Sequence, residues 1–356
     1  MKSLGVDGMK IAVVTDAMEI SIKEASMPLI KDNEVLIKVA CSGICGSDVA
    51  LYKGEHPFRK PPVIPGHEIS GEIMQVGKQV RDYQVGERVV VNHTIPCGDC
   101  RYCLTGLANV CPTKIYAGST RMMGFFAQYV NVPASTLFRI NSDISNENAA
   151  MAEPLSVGFH IINRLKQIKQ VSECNQTLVI IGTGTIGLLS LIVAQKQEYK
   201  KIICIDPLEH NLDVASKFGA TNVLNATNSN IVDILKELTD GYGASSTIIT
   251  AAVPGILTQA CALTDIMGTM IFLPMTRATL DINIYDLVAK EQHLIGCRGI
   301  LKQDFADAVD LINSGFDFSP MISHILSLEH AWMGFQLMIN RPIKEKVIKI
   351  LVCPNK

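Results

Sequence analysis

The stretch "TLVIIGTGTIGLL", which begins at Thr177, constrains this chain more than any other. A β-branched apolar run ends in Gly182, Gly184 and Gly187, spaced G-x-G-x-x-G, and an apolar segment of helical character follows. Asp206 closes the next apolar run, "KIICID", nineteen residues beyond Gly187. A lone glycine triplet is a weak signal, since glycines that only serve a strand–helix turn give it too. A strand before it, a helix after it and an acid closing the second strand together make the dinucleotide fingerprint of a βαβ unit. The first glycine makes the tight turn, the second lets the backbone approach a pyrophosphate, and the third lets the helix pack on the sheet. The helix then starts with Thr185, Ile186 and Gly187, its free N–H groups facing the phosphates. Asp206 can accept hydrogen bonds from ribose hydroxyls. A 2′-phosphate there would meet its charge, and Pro207 and Leu208 supply no cation. These residues predict NAD rather than NADP.

The alternation continues around this unit. Apolar runs at 201–206, 222–226, 246–252 and 268–274 are separated by helix-like segments at 185–197, 209–218, 230–239 and 256–263. That pattern predicts an α/β fold with a doubly wound parallel sheet. Ahead of Pro154 the chain reads differently, with short runs such as "EVLIKVACSGICG", "ISGEIMQVG", "ERVVVN" and "AQYVNV" between Gly and Pro turns. They predict an irregular antiparallel sheet or partial barrel. Beyond about residue 295 come one helix (303–313) and the closing run "KVIKILV", expected to pack back onto the first domain. A length of 356 residues suits two domains. The divisions expected are 1–157, 158–295 and a returning segment 296–356, and the residues before Met9 read as a dispensable extension.

A net charge of −2 gives no electrostatic reason to expect nucleic acid or an acidic membrane surface as partner. No apolar run approaches the roughly 20 residues a membrane helix needs, and the start, "MKSLGVDGMKIAVV", lacks the features of a signal peptide. A cytoplasmic protein is expected. Its reducing surroundings argue against structural disulfides, so the eleven cysteines are expected to be metal ligands or buried small hydrophobes.

Four of them, Cys97, Cys100, Cys103 and Cys111, stand with two, two and seven residues between. Bacterial ferredoxins begin a cluster motif with the same C-x2-C-x2-C and end it with Cys-Pro, as Cys111-Pro112 does here. Their last gap is about three residues, however, and the second cluster's cysteines are missing. A closed four-thiolate site suits structural zinc, which would pin a long lobe with little core of its own.

Chemistry is expected elsewhere. "GICGSD" offers Cys45, Ser47 and Asp48, "PGHE" offers His67 and Glu68, and "MAEPLSVGF" offers Glu153. Singly these read as a buried thiol, a core histidine and a helix-start carboxylate. Together, ahead of a dinucleotide fold, they are the mixed donor set of a catalytic zinc with one position left open. "GICGSD", "PGHEISGEI", "VGERV", "CGDCRYC", "AEPLSV" and "GTGTIGLL" follow one another in the order found in zinc-dependent medium-chain dehydrogenases/reductases. The chain resembles their polyol (sorbitol-type) and threonine dehydrogenase branch from about Met9 to its end.

The resemblance implies a GroES-like catalytic domain, an irregular β-barrel, interrupted by a Rossmann domain, with the active site in the cleft between. It implies that Cys45 and His67 bind catalytic zinc, that Glu68 or Glu153 completes the shell directly or through water, and that the four-cysteine lobe (about 93–113) binds structural zinc. Two zinc ions per chain and NAD are the expected cofactors. Glu153, where primary-alcohol members carry cysteine, points to the polyol side. Zinc would lower the pKa of a substrate hydroxyl, and the carbon would deliver hydride to the nicotinamide. Ser47 is the hydroxyl expected to take the first proton, and Asp48 is expected to orient a zinc ligand.

Some positions depart from the family. Ala50 stands where relatives often carry a relay histidine, which leaves His56, in a loop expected to be exposed, as a stand-in. Phe125 and Gln128 in "GFFAQY" and Pro274 in "FLP" also differ, and Phe125 either reshapes the cleft or packs. Arg298 in "GCRGI" stands where polyol relatives place a substrate-facing arginine; a surface salt bridge is the plainer reading. His93 resembles a cleft-side position of threonine dehydrogenases. Trp332 in "HAWMGFQLM" is expected to pack in a core. The expected partner is a small secondary alcohol or its ketone, of a polyol, sugar or cyclitol, with an amino alcohol such as threonine or an aminocyclitol as the alternative. A metal-free enone reductase fits poorly with intact Cys45, His67 and Glu153, and a non-catalytic nucleotide-binding protein would hold one zinc rather than two. A homodimer or homotetramer is expected, paired edge to edge through "GTMIFLP".

Overall fold

Residues Thr177–Ile181 are buried without a break, as a strand covered on both faces must be. The computed structural model describes residues 8–119, 121–168, 176–197 and 199–356. The seven residues ahead of Gly8, most of the expected extension, lie outside the described residues. The chain forms two compact units, one of Met1–Ser156 with Leu301–Lys356 and the other of Val157–Ile300.

The second unit holds six parallel strands. Across the sheet they run Asn222–Asn225, Lys201–Asp206, Thr177–Ile181, Ala244–Ile249, Thr264–Phe272 and His293–Gly296. In chain order that is 3-2-1-4-5-6, the Rossmann arrangement, whose order reverses beside the first strand. The glycine turn follows that strand, so the topology puts the fingerprint at the switch point. Val179, Ile181, Ile203, Ile205 and Ile249 centre the core, against helix residues Ile231, Leu235, Ile256 and Ala260. One expectation is corrected: "GTMIFLP" is an inner strand, flanked on both sides, and His293–Gly296 is the edge. That edge is four residues of alternating burial, too short and mixed to be read from the sequence.

The first unit is built on a mostly antiparallel sheet in the order Ile322–Leu326, Lys349–Val352, Glu34–Gly43, Glu68–Val76, Arg88–Val91 and Leu137–Arg139. Tyr129–Pro133 also pairs with Glu34–Gly43, and the register of that long strand shifts against Glu68–Val76 at two places. Such bulges bend and twist a strand, which suits an irregular barrel. Phe125 is fully buried among Val35, Ile37, Ile69 and Val130, so it packs. Trp332, expected in a core, is 50% exposed. Its helix, Ala331–Asn340, buries Ala331, Gly334 and Phe335, one face at helical spacing, and Trp332 lies off that face.

The last strand corrects a second expectation. Leu351 pairs with Gly43 and Val352 with Ser42. One step further in the same register Cys353 meets Cys41, and the two form a disulfide across 312 residues. Both cysteines are buried, beside Ala150 and Leu351. Adjacent antiparallel strands bring two sequence-distant cysteines face to face, which no spacing rule in the sequence reveals.

Candidate active site and zinc lobe

Cys45 ends the loop after Glu34–Gly43 and caps the helix Gly46–Tyr52. That helix carries Ser47 and Asp48 in its first turn, and the Asp48 carboxylate accepts the Cys45 backbone N–H at 3.2 Å. His67 and Glu68 lead into the neighbouring strand, Glu68–Val76. One donor atom each from Cys45, His67 and Glu68 lies within 4.8 Å of the others. Thiolate, imidazole and carboxylate so placed fit the donor chemistry of a catalytic zinc.

Asp48 is fully buried and organises the group. Its Oδ1 accepts from Arg59 Nη1 at 3.0 Å and from the Gly66 amide at 3.2 Å, and its Oδ2 lies 3.4 Å from His67 Nδ1. With Nδ1 turned to a carboxylate, Nε2 is the ring nitrogen left for a metal, the arrangement common among metal-binding histidines. Burial favours the neutral acid at Asp48, but the charges of His67 and Arg59 outweigh it and hold the carboxyl far below its usual range. Burial likewise opposes the His67 imidazolium, and the Asp48 carboxylate and Cys45 thiol overcome it, raising that pKa well above normal.

Glu68 is engaged from behind. Lys349, 1% exposed, donates to its carboxylate and to the Ile44 carbonyl. Gly43 makes the room: a Cβ there would fall 1.7 Å from Glu68 Oε2. Glu153, in the first turn of Ala152–Ile168, stands with His93 rather than in the donor triad, its Oε1 3.5 Å from His93 Nδ1. The His93 ring lies 5.0 Å from that of His67, and its Nδ1 is buried without a hydrogen-bond partner. Burial and then the Glu68 charge push the Glu153 carboxyl up to about 7, against the pull of His67. Burial, with the His67 charge, holds His93 well below the ordinary histidine value, so it is neutral.

His56, expected to be exposed, is 9% exposed. Its Nδ1 accepts the amides of Phe58 and Arg59 at 3.2 and 3.0 Å, because the loop after the helix folds back onto the Ala50 carbonyl. Gln128 accepts from the Lys10 amide at 2.8 Å, a structural role. Arg298 is exposed just beyond His293–Gly296, and Pro274 lies two residues past the strand Thr264–Phe272.

The cysteine lobe is closed at its base by the paired strands Thr94–Ile95 and Ile115–Tyr116. Its Sγ–Sγ separations are 3.8 Å (Cys97–Cys103), 3.5 Å (Cys100–Cys103) and 3.5 Å (Cys97–Cys111). Four thiolates about 2.3 Å from one metal in a tetrahedron stand about 3.8 Å apart, so the set fits zinc with little adjustment. Amides of Cys97 and Cys100 point at the sulfurs of Cys111 and Cys97. The first of these brings the Cys111 thiol down to about 6, toward the thiolate a metal needs.

In the second unit the three glycines divide their tasks sterically. Gly182 has φ +91°, and a Cβ on Gly187 would fall 2.0 Å from the Gly182 carbonyl oxygen. A Cβ on Gly184 would meet nothing within 4 Å, so the backbone there is open to a phosphate. Asp206 accepts the amides of Thr183 at 2.7 Å and Leu208 at 2.9 Å, which fixes its carboxylate at the turn with lone pairs left for ribose hydroxyls. Thr185 and Ile186 begin the helix Thr185–Gln195, as the pyrophosphate site requires.

Reading the sequence missed Arg59 and Lys349, two cations that look like surface residues in "HPFRKPP" and "KVIKILV". Both are buried against carboxylates of the site.

The alcohol dehydrogenase GroES-like domain family matches residues 31–142, and the zinc-binding dehydrogenase family matches residues 185–314. Sorbitol dehydrogenase of Bacillus subtilis (strain 168) is 30% identical over 98% of each chain. L-threonine 3-dehydrogenase of Bacillus velezensis is 33% identical over 91% of this chain and 93% of its own. Among solved structures, an Escherichia coli oxidoreductase/dehydrogenase of unknown specificity, involved in membrane biogenesis, superposes with a TM-score of 0.90 at 27% identity, covering 98% of this chain and all of that one. The chain therefore belongs to the zinc-dependent medium-chain dehydrogenases/reductases, in their polyol and threonine dehydrogenase branch.

Proposed function

We propose that this dehydrogenase interconverts a secondary alcohol of a polyol, sugar or cyclitol and the corresponding ketone, with NAD as the hydride carrier. The observation that carries the reading is the donor triad Cys45, His67 and Glu68 with Asp48 set behind His67. Cys45 and His67 would hold the catalytic zinc, with Glu68 or Glu153 completing the set, and Cys97, Cys100, Cys103 and Cys111 would hold the structural one. Bound zinc supplies Lewis acidity toward the alcohol oxygen, and bound NAD takes the hydride. Asp48 keeps the His67 ring in one orientation. Lys349 donates to the Glu68 carboxylate within a buried pair and fixes its position. Ser47, half-buried in the first turn of its helix, would take the substrate proton. Gly182, Gly184, Thr185, Ile186 and Gly187 receive the pyrophosphate and Asp206 the ribose, which favours NAD over NADP.

An amino alcohol such as threonine is the second reading, supported by the 33% identical threonine dehydrogenase. We further propose a cytoplasmic homodimer or homotetramer that binds neither nucleic acid nor membrane. No described helix is long and apolar enough to cross a bilayer, and the exposed edge strand His293–Gly296 offers a pairing surface.

The test is NADH formation at pH 8 across polyols, cyclitols, aminocyclitols, sugar acids, threonine and simple secondary alcohols. Activity on one group, abolished in Cys45→Ser, is the expected result. Activity that survives Cys45→Ser undiminished would overturn the assignment of the catalytic metal.

A further inference from the structure

A serine hydroxyl donates one hydrogen bond and accepts two. Ser47 already gives one acceptor position to Arg59, whose Nη2 donates at 3.1 Å. The same guanidinium donates through Nη1 to Asp48, the carboxylate behind His67. Arg59 is 4% exposed. Its backbone amide is tied to His56 Nδ1, and the loop that carries both residues is anchored by the Ala50 carbonyl, which accepts the amides of Glu55 and His56. On the far side Gly118, at φ +73°, leaves the guanidinium its space; a Cβ there would stand 3.0 Å from Nη1. Ala50 itself has no side chain to carry a proton or to hold Ser47.

We infer that Arg59 is the positioning residue of the proton relay in this enzyme: one rigid fork sets the Ser47 hydroxyl and the Asp48–His67 pair in a fixed relation. The inference rests on the reaction proposed above. With one lone pair on Arg59, Ser47 keeps one lone pair for the substrate proton and its own O–H to pass on. In the oxidation direction the substrate O–H breaks, a new O–H forms at Ser47 Oγ, and the proton Ser47 held leaves to water. The electron pair of the substrate C–H bond travels with the hydride to NAD⁺. Arg59 keeps all its protons throughout, since a guanidinium does not deprotonate in proteins. Lysine cannot replace it, because a single ammonium on a flexible stem lacks the planar fork that spans two acceptors in fixed geometry.

The experiment compares wild type, Arg59→Lys, Ser47→Ala and the double variant. Each is assayed for kcat, for KM toward alcohol and NAD, for zinc per chain and for melting temperature. Arg59→Lys is expected to keep both zinc ions and an NAD KM within about twofold of wild type, while kcat falls about tenfold or more, within the range that general acid–base steps contribute. In the Ser47→Ala background the same change is expected to alter kcat less than about twofold, since residues acting as one unit are not additive. A wild-type kcat in Arg59→Lys, or a full tenfold loss in both backgrounds, overturns the inference and leaves the reaction standing. A wild type silent on every alcohol removes the reaction and the inference with it. Should Arg59→Lys lose zinc, His56→Ala serves instead, because it keeps the guanidinium and removes the acceptor for its backbone amide. It must lower kcat about threefold or more in wild type and not in Ser47→Ala; equal loss in both backgrounds overturns the inference.

Discussion

His56 illustrates how a loop residue becomes a structural peg. Its ring takes two backbone amides and loses most of its exposure, and burial, then the Arg59 charge, brings its pKa down to about 4. An unfolded histidine titrates near 6.5, so between about pH 6.5 and 4 the unfolded chain binds the extra proton and the native one does not. The contribution to stability is therefore complete above pH 6.5 and is lost as the pH falls through 4. His56→Gln is expected to flatten the rise of melting temperature between pH 4.5 and 6.5; an unchanged slope in a melting series would sink this. The site's short-range logic was legible in the sequence, because Cys45, Asp48, His67 and Glu68 sit in two compact motifs whose residue types match metal chemistry. Lys349 was not. A lysine in an apolar run reads as the solvent side of a strand, and only the fold discloses its partner 281 residues away.

Among elements, the cysteine lobe stands out for what it lacks. Between Thr94 and Tyr116 only Asn109 and Cys111 are buried, so packing supplies almost no stabilisation there. Metal binding must supply it, as in small zinc modules whose folding free energy is largely that of the metal. Cys100→Ser is expected to lower zinc to about one per chain and to open the 97–111 loop to protease, while NAD affinity stays within about twofold. Retention of two zinc ions in that variant would refute the four-thiolate site. The strands and helices of the parallel sheet were legible because long apolar runs and amphipathic segments alternate cleanly: "KIICID" forms the strand Lys201–Asp206 and "IVDILKEL" the helix Ile231–Leu238. The edge His293–Gly296 was not, since four residues of mixed character carry no period to detect.

At the scale of the whole molecule, the first unit is discontinuous, and its sheet is completed by residues from the far end of the chain. The Cys41–Cys353 bond joins those ends. A cross-link closing so long a loop removes much of the unfolded chain's freedom, typically about 2–4 kcal/mol. Cys353→Ser is expected to lower the melting temperature of the oxidised protein by roughly 4–16 °C, at about 2–4 °C per kcal/mol for a unit of this size. The wild type under strong reductant should match it, and identical melting curves for variant and oxidised wild type would show that the bond contributes nothing. The expectation of free thiols failed because compartment chemistry describes exposed cysteines, whereas these two are sealed between paired strands.

The strand Lys349–Val352 also has a consequence in time. It ends four residues short of the C-terminus, yet it brings the cation that balances Glu68. During synthesis the nucleotide unit, complete at Ile300, can fold on the ribosome as domains do. The barrel must wait longer, because the cation that pairs with its buried acid is encoded after the whole nucleotide unit. A nascent chain that has not yet reached Lys349 thus holds a finished cofactor fold and an unfinished catalytic one.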